Sequence, residues 1–233
     1  SAGLVELLEE RRLDLCIVSW REGVFQQIAD EDQLLEKFRA LYNGEVVNLG
    51  EKRMVLHQLT RGQLGEAVNA DGTDKRDFYE TQRKNIAAFA DKVHSGKILN
   101  EKGEKYTTVC QIGIGGSDLG PRATYLALEN WAKAKGTFMM DAHFISNVDP
   151  DDAASVLASI DLSKTIFVLV SKSGTTLETL TNQSFVNEYL KNAGLDPSKH
   201  MIAVTSETSP LAKSPDYLAA FFMDDYIGGR YSS

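Results

Sequence analysis

From Thr107 onward, short apolar runs rich in β-branched residues alternate with stretches of helical spacing. No other feature restricts the fold as strongly. Thr107 to Ile114 reads as a strand, Pro121 to Lys133 as a helix, and His143 to Ser146 as a second strand. Asp149-Pro150 has the form of a cap and a first-turn proline, opening a helix to about Ile160. Thr165 to Val170 reads as a buried strand, and Thr176 to Asn192 as a helix with Thr175 and Glu178 spaced as a capping box. Met201 to Thr205 is a further strand, followed by a short helix at Pro210 to Lys213 and a strand near Leu218 to Met223. Pro121 is expected at the first helical position, where its missing N–H costs nothing. Strands separated by helices join through right-handed crossovers into a parallel sheet. Nearly all-apolar strands suit a sheet covered on both faces. The expected fold class is therefore α/β: a three-layer domain with a mostly parallel sheet of about five strands.

The preceding residues read mainly as helices. Leu4, Leu7, Leu8, Leu13 and Ile17 have helical spacing, and so do Leu34, Leu35, Phe38, Leu41 and Tyr42 within Gln33 to Tyr42. Asp77 to Val93 continues with Phe78, Ile86, Phe89, Ala90 and Val93, after a polar loop from Glu66 to Asp74. The expected organisation is a helical N-terminal region, 1–104, followed by a sheet domain, 105–233.

Parallel sheets bind ligands beyond the carboxyl ends of their strands. Two loops rich in Gly, Ser and Thr fall at such ends: Gly113 to Gly120 and Ser171 to Thr176. The second places four hydroxyls, Lys172 and Gly174 where a strand turns into a helix. A helix start carries unpaired N–H groups and the positive end of the helix dipole, which suits a phosphate. Small hydroxyl residues add donors without blocking approach. The first loop is not a dinucleotide fingerprint, because GxGxxG from Gly113 needs glycine where Asp118 stands. The second is not a GxxxxGK[ST] triphosphate loop. Two such loops on neighbouring strands point to one site, with one holding a phosphate and the other bringing backbone donors and Ser117 to the rest of the ligand. Arg230 follows two glycines and offers a fixed cation suited to a developing oxyanion.

The net charge of −8 disfavours nucleic acid as a partner, so an anion site must work through local donors. No stretch approaches the ~18 consecutive apolar residues of a membrane helix. Cys16 and Cys110 form no CxxC pair, and Cys110 in a strand pattern reads as a buried thiol, in keeping with a reducing cytoplasmic setting. His57, His94, His143 and His200 show no metal-ligand spacing, so no metal is assigned. His57 reads as a packed histidine, and His94 and His200 as helix-end or loop residues.

The motifs Ile112-Gly113-Ile114-Gly115-Gly116-Ser117-Asp118-Leu119-Gly120-Pro121, Ser146-Asn147-Val148-Asp149, Ser171-Lys172-Ser173-Gly174-Thr175-Thr176-Leu177-Glu178-Thr179 and Gly229-Arg230-Tyr231-Ser232 resemble the phosphoglucose isomerase family in order and spacing. Arg53-Met54-Val55-Leu56-His57 resembles its early segment, and the resemblance runs from about residue 45 to the end. It implies a sugar isomerase (SIS) domain, no metal or organic cofactor, and a cytoplasmic homodimer at full length. It implies a small sugar phosphate as partner, with glucose 6-phosphate and fructose 6-phosphate interconverted through a cis-enediolate. Carried over by motif, Ser171, Ser173 and Thr176 bind the phosphate and Lys172 assists with backbone donors. Gly116 and Ser117 line the sugar, and Arg230 stabilises the enediolate.

The family's glutamate base, ring-opening histidine and a further lysine have no counterpart among these residues. The sequence thus reads as the first part of a longer isomerase, inactive by itself. Two alternatives stay open: a non-catalytic sugar-phosphate-binding SIS module, and an isomerase that also accepts mannose 6-phosphate.

Overall fold

The computed structural model describes residues 31–50, 52–61, 69–70 and 73–228. The helical spacing from Leu4 to Ile17, and Arg230, lie outside the described residues. The chain forms two compact units, divided between Thr81 and Gln82.

In the first unit, helix α1 spans Glu31–Tyr42 and a 3-10 helix spans His57–Arg61. Gln58 Nε2 donates to the carbonyls of Leu41 (3.2 Å) and Tyr42 (3.4 Å), satisfying the end of α1. Leu56 and Leu59 are buried. Strands β1 (Asn69–Ala70) and β2 (Thr73–Asp74) form a minimal antiparallel pair within the stretch expected as a loop. Helix α2, Lys75–His94, leads into the second unit.

The second unit is built on five parallel strands: β3 (Thr108–Ile112), β4 (Asp141–Ile145), β5 (Thr165–Val170), β6 (Met201–Thr205) and β7 (Ala219–Phe222). Their connections contain α3 (Gly116–Lys135), α4 (Pro150–Ser159), α5 (Leu177–Asn192) and the short α6 (Pro197–His200). The two-residue period of a strand sends alternate side chains to opposite faces. Phe167 and Leu169 of β5 join Cys110, Ile112 and Met201 on one face, against Ala153 and Leu157 of α4 and Val186 and Leu190 of α5. Ile166 and Ile202 face the other way, toward Tyr106, Phe89 and Val93. Helices thus cover both faces, and β5 at the centre is apolar throughout for that reason. Burying a side chain such as Phe167, which is fully enclosed, contributes about 1.5–3 kcal/mol.

The expected α/β class and five parallel strands agree with this architecture. β5 and β6 match residue for residue, while β4 begins at Asp141, two residues early. Asp149 caps α4 as expected, accepting from the amides of Asp151 (3.0 Å) and Asp152 (3.3 Å), with Pro150 at the first turn.

His200 is the last residue of α6, in keeping with a helix-end histidine, and it is fully buried; its Nδ1 lies 2.8 Å from the Thr165 carbonyl. Its ring also meets Tyr106 edge-on at 5.7 Å. Pro121 is not the first residue of α3, which starts five residues earlier at Gly116. A proline inside a helix removes one ladder bond and strands the carbonyl four residues before it. That carbonyl belongs to Ser117, and the Gln111 side chain of β3 donates to it at 2.7 Å.

Cys110 is fully enclosed, and burial pushes its thiol up to about 12. Thiolate is the reactive form. Cys110 in the folded protein is therefore expected to resist iodoacetamide at pH 8 and to react only after denaturation. Mass mapping of the Cys110 peptide checks this; rapid native labelling would contradict it.

Candidate anion site at the sheet crossover

The strand order is β4-β3-β5-β6-β7. The chain leaves β3 toward β4, then crosses back to β5 on the opposite side of β3. Such a reversal opens a crevice at the carboxyl ends of the two central strands. Ile112 pairs with Leu169, so the loops that follow β3 and β5 emerge side by side. These are the two loops singled out by composition.

The loop after β5 is fixed from beneath. The Ser171 amide donates to the Val204 carbonyl at 3.0 Å, extending the β5–β6 pairing beyond the strand. The Lys172 carbonyl accepts from the Ser206 amide at 3.0 Å and from Thr205 Oγ1 at 3.3 Å. The chain then reverses through Gly174, whose φ of +65° favours glycine. Ser171 is buried; its Oγ donates to Thr176 Oγ1 at 3.2 Å and accepts from the Gly174 amide at 3.2 Å. Ser173 Oγ accepts from the Thr175 amide (3.2 Å) and hydroxyl (3.0 Å).

The expected capping box does not form. Thr176 is the residue preceding α5, and it makes no side-chain cap. Thr175, which the spacing suggested as the cap, turns its hydroxyl to Ser173 instead. In contrast, Asp149, Asp161, Asp196 and Ser209 each cap the helix they precede. The amides of Leu177, Glu178 and Thr179 thus open α5 without a carboxylate or hydroxyl capping them. The first turn of a helix in this condition attracts an anion. Thr176 at its mouth is half-buried and Ser173 is exposed.

Across the crevice, Gly115 precedes α3 with φ 59° and ψ −121° and also provides no side-chain cap. Gly116 and Ser117 begin the helix, both half-buried. The turn is tight: the Ser117 amide donates to the Ile114 carbonyl at 3.1 Å and the Asp118 amide to the Gly115 carbonyl at 3.0 Å. Asp118 is buried and pairs with Arg122, whose Nε and Nη2 reach its Oδ1 at 3.0 and 2.9 Å. Arg122 lies 4.9 Å from the Phe144 ring, anchoring α3 to β4.

Ser171, Ser173 and Thr176 thus share one loop, and Gly116 and Ser117 start the helix after the adjacent strand. The Lys172 side chain is engaged elsewhere: Nζ donates to the carbonyls of Asp225 (3.2 Å) and Ile227 (2.9 Å). Three supporting residues were not singled out by sequence. Gln111 holds Ser117, and Pro121, four residues after Ser117, was the available signal. Asn182 of α5 donates to the Asn147 carbonyl at 3.0 Å, fixing the loop after β4. Thr205 supports Lys172 and left no local signal.

An open apolar cleft of about 230 Å³ lies on the other side of the sheet, between α2 and residues such as Ile166, Val168 and Ile202. His94 is its sole polar lining side chain, so it does not suit a phosphate. Among the described residues no group of three or more His, Cys, Asp and Glu is placed to hold a metal ion, and no helix is long and apolar enough to cross a membrane.

The crossover and the uncapped start of α5 with its surrounding hydroxyls form a candidate anion site on an α/β domain of the open parallel-sheet class. The family profile of phosphoglucose isomerase matches residues 19–233. The chain belongs to the phosphoglucose isomerase family. It is 62% identical over 208 residues to the glucose-6-phosphate isomerase of Treponema denticola, covering 89% of this chain and 39% of that protein. The corresponding protein of Borreliella afzelii is 46% identical over 212 residues, covering 90% of this chain and 40% of that protein. The crystal structure of a glucose-6-phosphate isomerase from Chlamydia trachomatis superimposes with a TM-score of 0.73 at 34% identity, covering 89% of this chain and 39% of that one. The chain therefore spans about two fifths of the length of these relatives.

Proposed function

We propose that this chain is the phosphate-binding part of a glucose-6-phosphate isomerase, which interconverts glucose 6-phosphate and fructose 6-phosphate. The observation that carries the reading is the start of α5, which Thr176 leaves without a side-chain cap and which Ser171, Ser173 and Thr176 surround with hydroxyls. Likeness to proteins of that name over about 89% of the chain supports it. Amides at 177–179 and the hydroxyls of Ser173 and Thr176 hold the phosphate, with Lys172 contributing its backbone. Gly116 and Ser117 border the sugar across the crevice.

The reaction moves a carbonyl between C1 and C2. A base removes the proton from the carbon next to the carbonyl and returns it to the neighbouring carbon. The intermediate cis-enediolate carries negative charge on oxygen, which Arg230 stabilises. The phosphate is remote from these carbons, so its binding energy positions the reacting end. No residue of this chain is assigned as the base; in this reading it comes from the part of the relatives' length that the chain does not span. The 233 residues alone are expected to bind sugar phosphate weakly and to give no turnover. The full-length protein is proposed to be a cytoplasmic homodimer that needs no cofactor.

The test is Thr176→Val in a full-length protein. Val keeps the shape but cannot hydrogen-bond an anion. A bond to a charged group contributes about 1.5–3 kcal/mol. The dissociation constant for inorganic phosphate is expected to rise about tenfold or more, with KM for fructose 6-phosphate rising in parallel. Unchanged phosphate affinity in the folded variant would remove this loop from the site.

A further inference from the structure

Lys172 sits in the middle of the anion loop, yet its ammonium faces away from the hydroxyls and toward main-chain carbonyls. Both ends of the residue are held. Its own carbonyl is fixed by Ser206 and Thr205 at the end of β6. Its Nζ reaches the carbonyls of Asp225 and Ile227, more than fifty residues away in sequence. Those carbonyls belong to a small turn just after β7. The Met223 amide donates to the Thr205 carbonyl at 2.9 Å, continuing the sheet pairing. The Ile227 amide donates back to the Asp224 carbonyl at 3.1 Å, and the Tyr226 amide to Asp224 Oδ1 at 3.3 Å. Ile227 is three residues before Arg230 in the sequence.

We infer that Lys172 is a positioning residue whose ammonium ties the 224–227 turn, and so the start of the arginine-bearing segment, to the anion loop. Its side chain does not bind the substrate phosphate. An ammonium has three donors and a compact charge, and two carbonyls at hydrogen-bond distance account for most of its capacity. A flexible lysine reaching into solvent is an ordinary phosphate ligand; one fixed at both ends is a strut. The consequence for the reaction rests on the reading of Arg230 given above. An arginine held in place stabilises the enediolate, and a displaced one does not.

The experiment compares wild type, Lys172→Met, Arg230→Ala and the double variant in the full-length protein. Amide hydrogen exchange at residues 225–228 tests the tether itself, without reference to activity. It is expected to accelerate about tenfold or more in Lys172→Met while amides of β5 and β6 keep their rates. Unchanged exchange at 225–228 would overturn the inference. Kinetics then test its role. Lys172→Met is expected to lower kcat on the order of tenfold while the inhibition constant of inorganic phosphate stays within about twofold. Adding it to Arg230→Ala is expected to lower kcat no further. A phosphate inhibition constant that rises with KM would make Lys172 a direct phosphate ligand and refute the strut. Additive losses in the double variant would refute the link to Arg230. An Arg230→Ala variant with wild-type kcat defeats the proposed role of the arginine instead, and exchange alone then decides the tether. Should Lys172→Met fail to fold, Lys172→Gln, which retains one amide donor group, gives the same readouts.

Discussion

Gly174→Val is expected to leave the protein folded but unable to hold a phosphate. Gly174 has φ +65°, and a Cβ there would run into Ser209 Oγ and come within 3.0 Å of Leu211 Cγ and 3.3 Å of Pro210 Cδ. A left-handed conformation costs an L-residue about 1–2 kcal/mol, and overpacking a further ~1–3 kcal/mol. A β-branched side chain at positive φ is the least tolerated kind. Together these amount to about 2–5 kcal/mol, below the ~5–15 kcal/mol that separates folded from unfolded domains. The chain relieves the conflict by moving the loop. The Gly174 amide then leaves Ser171 Oγ, whose hydroxyl otherwise directs its proton to Thr176. Losing three charge-assisted bonds removes about 4.5–9 kcal/mol of phosphate binding. At ~1.4 kcal/mol per tenfold, affinity falls by about a thousandfold or more. Calorimetric titration with inorganic phosphate, alongside a circular dichroism melt, separates this from unfolding. A folded Gly174→Val protein with wild-type phosphate affinity would show that Gly174 serves packing and nothing else.

The same loop shows what sequence can and cannot convey. Hydroxyls and a glycine between a buried strand and a helix are a local pattern, so the loop that forms the candidate site was readable at Ser171, Ser173 and Thr176. Strand β5 was readable to the residue, because a strand covered on both faces is apolar without alternation. The capping box was misread because Thr175 and Thr176 are both plausible caps, and the choice depends on where Ser173 and Ser171 direct their hydroxyls. The helix-end place of His200 was readable, but its burial was not, because that is set by Thr165 and Tyr106, far away in sequence. The destination of Lys172 was hidden more deeply, since main-chain carbonyls at 225 and 227 carry no residue signature at all. Local chemistry is written locally; the supports that hold it are contacts across the sheet.

Pro121 joins the two kinds of information and leads to the second large effect. Its ring removes the donor that the Ser117 carbonyl would have had, and Gln111 supplies another at 2.7 Å. The carbonyl, drawn toward β3, lies only 2.7 Å from where a Cβ on residue 113 would stand, with the Ser117 carbonyl carbon and Cβ both at 3.1 Å. Gly113 does not have the positive φ of Gly115 or Gly174. It is glycine because backbone occupies the space, and backbone cannot rotate aside. Gly113→Ala must therefore push the first turn of α3 away and stretch the bond from Gln111. Overpacking at about 1–3 kcal/mol and a weakened bond to the half-buried Ser117 carbonyl at about 1–3 kcal/mol give a loss of roughly 2–6 kcal/mol. Because both costs act through the Ser117 carbonyl, Gly113→Ala and Gln111→Ala are expected to be coupled. The double variant should be less destabilised than the sum of the single ones by about 0.5–3 kcal/mol in urea denaturation. Gly116 and Ser117 ride on the displaced turn, so KM for fructose 6-phosphate in a full-length protein should rise by about tenfold or more. Strict additivity of the two substitutions would mean that residue 113 acts through something other than this carbonyl.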